Sequence, residues 1–333
     1  MTATTLTRKD FQTDQDVRWC PGCGDYAILA QFQKVFPELG IPRENFAIIS
    51  GIGCSSRFPY YMNTYGFHTI HGRAPALASG LKVMRPELSV WVITGDGDAL
   101  SIGGNHLIHA LRRNMDLKIV LFNNQIYGLT KGQYSPTSEV GKRTKSTPFG
   151  SLDEPFTPLA LALGAEASFV ARTADREQKH LAETLHAAAE HKGTALVEVY
   201  QNCNIFNDGA FFHLTEKDRK DGNQLVVEHG KPLVFDNGTK GIVFDGFAPK
   251  VVDVAEVGLD AIHVHREDAP VGYHLALAKL HGPQFPTALG VIRRVQRPTY
   301  DALVEAQVLA EQAKSDKNDI HALLHTGHTW EVG

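Results

Sequence analysis

Short, almost unbroken apolar runs alternate along this chain with segments whose apolar residues recur every three or four positions. The runs cover 46–50, 89–94, 117–122 and 195–200. Each has strand length and lacks polar alternation, which marks a strand buried on both faces. The first helical segment is 25–39, where Ile28, Leu29, Phe32, Val35 and Phe36 share a face. Others follow at 74–84, 104–114, 152–163 and 177–191. Gly40-Ile41-Pro42 ends the first, and Arg85-Pro86 ends the second. Strands alternating with helices predict an α/β fold, a mostly parallel sheet with helices on both faces. From about residue 218 the pattern changes: 233–244 read as a hairpin around Asn237-Gly238, and 300–314 as one helix. The expected division is an α/β domain over 1–217 and a smaller C-terminal region over 218–333. In such a sheet ligands gather at the carboxyl ends of the strands. Cys54, Asp96, Asn124 and Cys203 each fall just after a predicted strand, so the pattern alone places them on one edge.

Composition narrows the class. Apolar residues make up 43% of the 333 and charged residues 21%, as in ordinary soluble proteins. The net charge of −4 comes without a long basic run, so nothing supports a nucleic-acid partner. Residues 1–19 are polar and charged, unlike a signal peptide, and the apolar runs are too short to span a bilayer. No membrane association is expected. Four cysteines in so long a chain do not make a secreted disulfide framework. The expected compartment is the cytoplasm, with the thiols reduced and bound to metal.

Two sets of residues carry chemistry. All the cysteine in the chain is Cys20-Pro21-Gly22-Cys23, Cys54 and Cys203. One close pair plus two distant single thiols suits a four-thiolate cluster enclosed by a large fold. Structural zinc more often uses two close pairs in one small module. A redox-active CxxC is a third reading, though it leaves two cysteines unexplained. The second set is Gly95-Asp96-Gly97-Asp98 after one strand and Asn123-Asn124 after the next. Asp96, the Asn124 amide oxygen and a carbonyl near Ile126 offer hard oxygen ligands to a divalent metal. Gly95 and Gly97 let the backbone approach phosphates, and Gly97 and Asp98 can offer N–H groups. The spacing is that of the thiamine diphosphate signature. Gly128-Leu129-Thr130-Lys131-Gly132 is no Walker motif, because the final Lys-Ser/Thr is missing.

Further motifs join these in order between about residues 19 and 208. They are Trp19-Cys20-Pro21-Gly22-Cys23-Gly24-Asp25, Gly51-Ile52-Gly53-Cys54-Ser55-Ser56-Arg57, His71-Gly72-Arg73-Ala74 and Asn123-Asn124-Gln125-Ile126-Tyr127-Gly128-Leu129-Thr130-Lys131-Gly132-Gln133. Together the set resembles the β subunit of 2-oxoacid:ferredoxin oxidoreductases. Through Tyr134-Ser135-Pro136-Thr137-Ser138 and Asn204-Ile205-Phe206-Asn207-Asp208-Gly209 it looks most like the bacterial 2-oxoglutarate type.

The resemblance implies a [4Fe–4S] cluster on Cys20, Cys23, Cys54 and Cys203, and magnesium on Asp96, Asn124 and the Ile126 carbonyl. It implies thiamine diphosphate against Ile52, Gly53, Cys54, Ser55, His71, Gly97, Asp98, Gly128 and Leu129. The implied reaction oxidises 2-oxoglutarate to succinyl-CoA and CO2, with coenzyme A as co-substrate and ferredoxin as electron acceptor. The same chemistry on pyruvate or another 2-oxoacid is the alternative within the class. A non-redox thiamine enzyme with structural zinc, and an electron-carrier subunit, are alternatives outside it. His71, Arg73 and Lys131 are the candidate catalytic groups, His71 toward the diphosphate and the two cations toward a substrate carboxylate. Arg57 is a candidate for tuning the cluster or touching a partner. His321, His325 and His328 read as surface residues. Such families place the carboxylate that activates the thiamine ring on another domain. A larger α subunit is therefore the implied partner, in an (αβ)2 assembly, with region 218–333 covering the partner or the cluster.

Overall fold

The computed structural model describes residues 6–314 and 319–333. Residues 1–5 and 315–318 lie outside the described residues, and with them parts of the N-terminal stretch and of the polar tail. The described strands, in chain order, are β1 (Phe46–Ser50), β2 (Tyr65–His68), β3 (Ser89–Gly95), β4 (Leu117–Asn123), β5 (Phe169–Ala174), β6 (Ala195–Tyr200), β7 (Gln224–Val227), β8 (Val234–Phe235), β9 (Lys240–Asp245), β10 (Ala248–Asp253) and β11 (Thr287–Arg294). Eight of them form one sheet in the order β2-β1-β3-β4-β6-β5-β11-β7. All neighbours in it run parallel except β11 with β5. β10, β9 and β8 make a separate antiparallel sheet.

Alternate residues of the central strands bury into opposite cores. Val90, Val92, Ile119 and Leu121 meet helices Ala74–Met84, Gly104–Arg113, Pro158–Gly164 and Val271–Ala278. Trp91, Ile93, Val120 and Phe122 meet helices Asp25–Glu38 and Gln178–Glu190. This two-sided burial is why the strand sequences read as unbroken apolar runs. The second core is aromatic: Phe36 stacks on Phe46 at 4.3 Å, and Phe32 meets Trp91 edge-on at 5.4 Å. These contacts clamp the helix that follows the CxxC against β1 and β3.

Several elements differ from expectation. The helix expected over 152–163 begins only at Pro158. Pro155 and Pro158 have no N–H to donate, and each biases the residue before it toward extended backbone, so the stretch before Pro158 stays irregular. Phe169–Ala174 carries Arg172 in its middle, which hides the strand; that guanidinium is buried and donates to Glu198 Oε2 of β6 at 2.7 Å. Beyond residue 218 the hairpin forms around Asp236-Asn237-Gly238, all at positive φ. The helix there is Tyr300–Gln312. The same region also contributes β7 and β11 to the large sheet, so residue 218 does not separate one sheet from another. No helix among the described residues is long and apolar enough to cross a membrane. His321, His325 and His328 are exposed.

Candidate active site

β1, β3, β4 and β6 are adjacent and parallel, so their carboxyl ends share one edge. The chain leaving them carries Cys54, Asp96, Asn124 and Cys203. Two cavities open there. The larger, of about 220 Å³, is lined by all four cysteines together with Arg18, Arg57 and Lys131. The smaller, of about 110 Å³, is lined by Ile52, Gly53, Ser55, His71, Asp96, Gly97, Asp98, Ile126 and Tyr127, among others. Cys54, Asn124, Gly128 and Leu129 line both and form the shared wall. Every residue expected to hold the cluster, the magnesium or the thiamine diphosphate thus lines one cavity or both. Among the candidate catalytic groups, His71 lines the smaller cavity and Lys131 the larger. Arg73 lines neither; its guanidinium lies against the Ile102 carbonyl at 3.5 Å.

The thiol cavity fits a group larger than one ion. A Cβ at Gly128 would sit 3.6 Å from both Cys54 Sγ and Cys203 Sγ, so a side chain there would enter the space between them. Among the described residues no three His, Cys, Asp or Glu stand close enough to hold a single metal ion. Four soft sulfur donors lining one cavity are the donor set a multi-iron cluster takes. Trp19 donates its indole N–H to the Cys54 carbonyl at 2.7 Å, and its ring packs on Tyr61 at 4.9 Å. Burial, and then the negative Asp25, hold the Cys23 thiol far above its ordinary range. The same two causes push Cys54 up to about 12, against a lowering by Arg57. Asp25 itself is buried and pushed up to about 7. Thiolates gathered here therefore call for metal cations to replace their protons.

The smaller cavity is organised by two aspartates with different jobs. Asp96 Oδ2 accepts from Ser135 Oγ and from Thr137 Oγ1, both at 2.6 Å. Both side-chain hydrogen bonds to Asp96 land on that one oxygen, so Oδ1 is the oxygen left for a metal. Burial raises the Asp96 carboxyl to about 6 despite the Ser135 and Thr137 bonds that pull it down. Asn124 Oδ1 accepts from the Ile126 N–H at 3.2 Å, which folds the Asn124-Gln125-Ile126 turn; Gln125 lies at positive φ. Asp98 bonds to none of these ligands. Its Oδ1 accepts from the N–H groups of Ile52 and Gly72 at 3.1 and 2.8 Å and lies 2.6 Å from His71 Nδ1. Its Oδ2 accepts from Thr94 at 2.7 Å. Asp98 therefore anchors the 51–55 and 71–73 loops with its side chain and can address a diphosphate only through its backbone. Gly97 needs to be glycine: a Cβ there would lie 2.2 Å from the Tyr127 ring, whose hydroxyl donates to the Gly97 carbonyl.

Sequence reasoning missed the residues that hold the ligands in place: Trp19, Ser135, Thr137, Tyr127 and Gln201. All but Gln201 lie inside or beside the recognised motifs, so adjacency to a motif was the available signal. Gln201 had none beyond its place directly after β6.

Likeness to known proteins gives the family. A family model described as the thiamine pyrophosphate enzyme, C-terminal TPP binding domain, matches residues 51–199. That stretch includes Cys54, Asp96 and Asn124 and leaves Cys20, Cys23 and Cys203 outside. The chain is 58% identical to the 2-oxoglutarate oxidoreductase subunit KorB of Mycobacterium tuberculosis, covering 97% of this chain and 88% of that one. It is 46% identical to 2-oxoacid:ferredoxin oxidoreductase 1, subunit beta, of Aeropyrum pernix, covering 60% of this chain and 62% of that one. Among solved structures it resembles a 2-oxoglutarate:ferredoxin oxidoreductase from Magnetococcus marinus, with 2-oxoglutarate, coenzyme A and succinyl-CoA bound. The TM-score there is 0.76 at 34% identity, with 96% of each chain covered. Likeness over nearly its whole length, on a sheet edge that gathers four thiols beside a Gly-Asp-Gly turn, makes this chain a member of the 2-oxoacid:ferredoxin oxidoreductase β-subunit family.

Proposed function

We infer that this chain is the β subunit of an enzyme converting 2-oxoglutarate and coenzyme A to succinyl-CoA and CO2, with two electrons passed to ferredoxin. The carrying observation is the wall of Cys54, Asn124, Gly128 and Leu129 shared by the two cavities. Thiamine diphosphate, when bound, supplies the nucleophilic carbon and the electron sink for decarboxylation, and a [4Fe–4S] cluster takes electrons one at a time. The chain's own residues supply placement. Asp96, Asn124 and the Ile126 carbonyl would hold magnesium, and the backbone at Gly97 and Asp98 would meet the diphosphate. Cys20, Cys23, Cys54 and Cys203 would hold the cluster. Cys54 lies in both linings, so electron donor and acceptor would stand within one loop of each other. The substrate named for the Mycobacterium and Magnetococcus proteins favours 2-oxoglutarate. Reduced thiols fit a cytoplasmic enzyme, and the β-subunit kinship fits an α partner in an (αβ)2 assembly.

The test is anaerobic purification with the α subunit, followed by iron and thiamine assays and turnover with a panel of 2-oxoacids. Expected are about four irons per β subunit, a brown chromophore and preference for 2-oxoglutarate. Iron-free, colourless protein holding zinc would overturn the redox reading. Preference for pyruvate would overturn the substrate.

A further inference from the structure

Gln201 follows β6 and is 1% exposed. Its main-chain N–H donates to the Asn123 carbonyl at the end of β4, at 2.9 Å. Its side chain lines the larger cavity and meets Asn124 in the wall the two cavities share. Nε2 lies 2.7 Å from the Asn202 carbonyl, which can only accept, so the amide orientation is fixed. The second Nε2 hydrogen then points to Cys23 Sγ at 3.2 Å. On the other side Oε1 accepts from Asn124 Nδ2 at 2.8 Å. That bond fixes the Asn124 amide in turn and holds its Oδ1 on the side away from Gln201. One buried amide, with both donors and its oxygen engaged, thus joins a cluster thiol to a magnesium ligand.

We propose that Gln201 is a positioning residue that sets the cluster's reduction potential through Cys23 and the magnesium–thiamine diphosphate affinity through Asn124. The inference rests on the cluster and magnesium assignments above. A hydrogen bond to a cluster sulfur stabilises the reduced, more negative cluster and raises its potential. A partner that orients a ligand is worth about 10–100-fold in affinity. A residue that merely filled space would affect neither quantity while iron stayed in place.

The test uses the αβ complex. Gln201→Leu removes both bonds. With full iron, it is expected to show a more negative midpoint potential in an EPR-monitored titration and at least about tenfold weaker thiamine diphosphate binding. Full iron with both quantities unchanged overturns the proposal. Gln201→Glu keeps an oxygen acceptor for Asn124. It is expected to bind thiamine diphosphate more tightly than Gln201→Leu, and affinity no better than that of Gln201→Leu counts against the Asn124 role. If either variant loses iron, wild-type complex labelled with 15N in glutamine side chains decides. Pulsed EPR of its reduced cluster should show a 15N coupling, and none overturns the Cys23 contact. Wild-type complex without iron would overturn the cluster assignment itself, which iron analysis separates from failure of the bridge.

Discussion

Thr137 lines neither cavity, yet its hydroxyl holds a site residue. It donates to Asp96 Oδ2 and lies 2.9 Å from Asn123 Oδ1, and Asn123 donates to Glu198 at 2.7 Å. Thr137→Val keeps the shape and removes the bond to Asp96. We expect thiamine diphosphate affinity to fall about tenfold with iron content unchanged, read by cofactor titration and iron assay. Asp96→Ala is expected to abolish cofactor retention and likewise leave the iron; loss of both together would mean the two sites form only as one. The sequence made Asp96 legible and Thr137 not. Asp96 sits in a motif whose spacing has a chemical reason. Thr137 reaches it across 41 residues through a loop whose path no local pattern dictates. Asp98 teaches the converse. A residue inside the motif was legible as important, but its side chain turned out to organise loops, because three N–H or O–H donors and His71 converge on it.

Elements were legible where burial was symmetrical. β1, β3, β4 and β6 bury both faces in apolar cores, and their sequences say so. β5 and β11 were hidden because each mixes charge into a strand, Arg172 in one and Arg293 and Arg294 in the other. Those charges are met by tertiary partners that the sequence does not place beside them. One such junction predicts acid sensitivity. His274, in helix Val271–Ala278, is buried; its Nε2 lies 3.0 Å from the Arg266 carbonyl and its Nδ1 3.2 Å from Arg293 Nη1. These partners specify a neutral ring, with Nε2–H donating and Nδ1 accepting. Burial is the main cause that lowers His274 to about 4, with the Arg293 charge adding to it. Burial, then Lys118, lower the buried His191 to about 4 as well. The unfolded chain takes up these protons near pH 6.5 and the folded chain only near 4, so stability falls as pH drops through that window. The loss is at most about 3 kcal/mol from each residue. Melting temperature should therefore decline between pH 6.5 and 4. His274→Gln should lower it at pH 7.5 yet flatten the decline. An unchanged slope would mean that His274 does not titrate as a buried neutral group.

On the proposed reading, the whole molecule supplies half of an active site. A thiamine ring needs a carboxylate at its aminopyrimidine to become nucleophilic. The smaller cavity is lined by two carboxylates, and both have other work. Asp96 is held by Ser135 and Thr137 at the metal end. Asp98 is fixed by the loops it anchors. No glutamate lines that cavity among the described residues. Several large apolar side chains are also exposed. Edge strand β2 exposes Tyr65 and Phe67, and Ile70, Leu129 and Ile205 are exposed near the cavities. An incomplete carboxylate set beside uncovered apolar surface is what a chain looks like when a partner completes it. The purified β subunit, loaded with iron, magnesium and thiamine diphosphate, should therefore bind cofactor and turn over no 2-oxoglutarate. Adding the α subunit should restore succinyl-CoA formation and ferredoxin reduction in proportion to complex formed, followed by size-exclusion chromatography with light scattering. Turnover by the β subunit alone at the rate of the complex would require an activating carboxylate within this chain, and the assignment of Asp96 and Asp98 to metal and scaffold would then have to be abandoned.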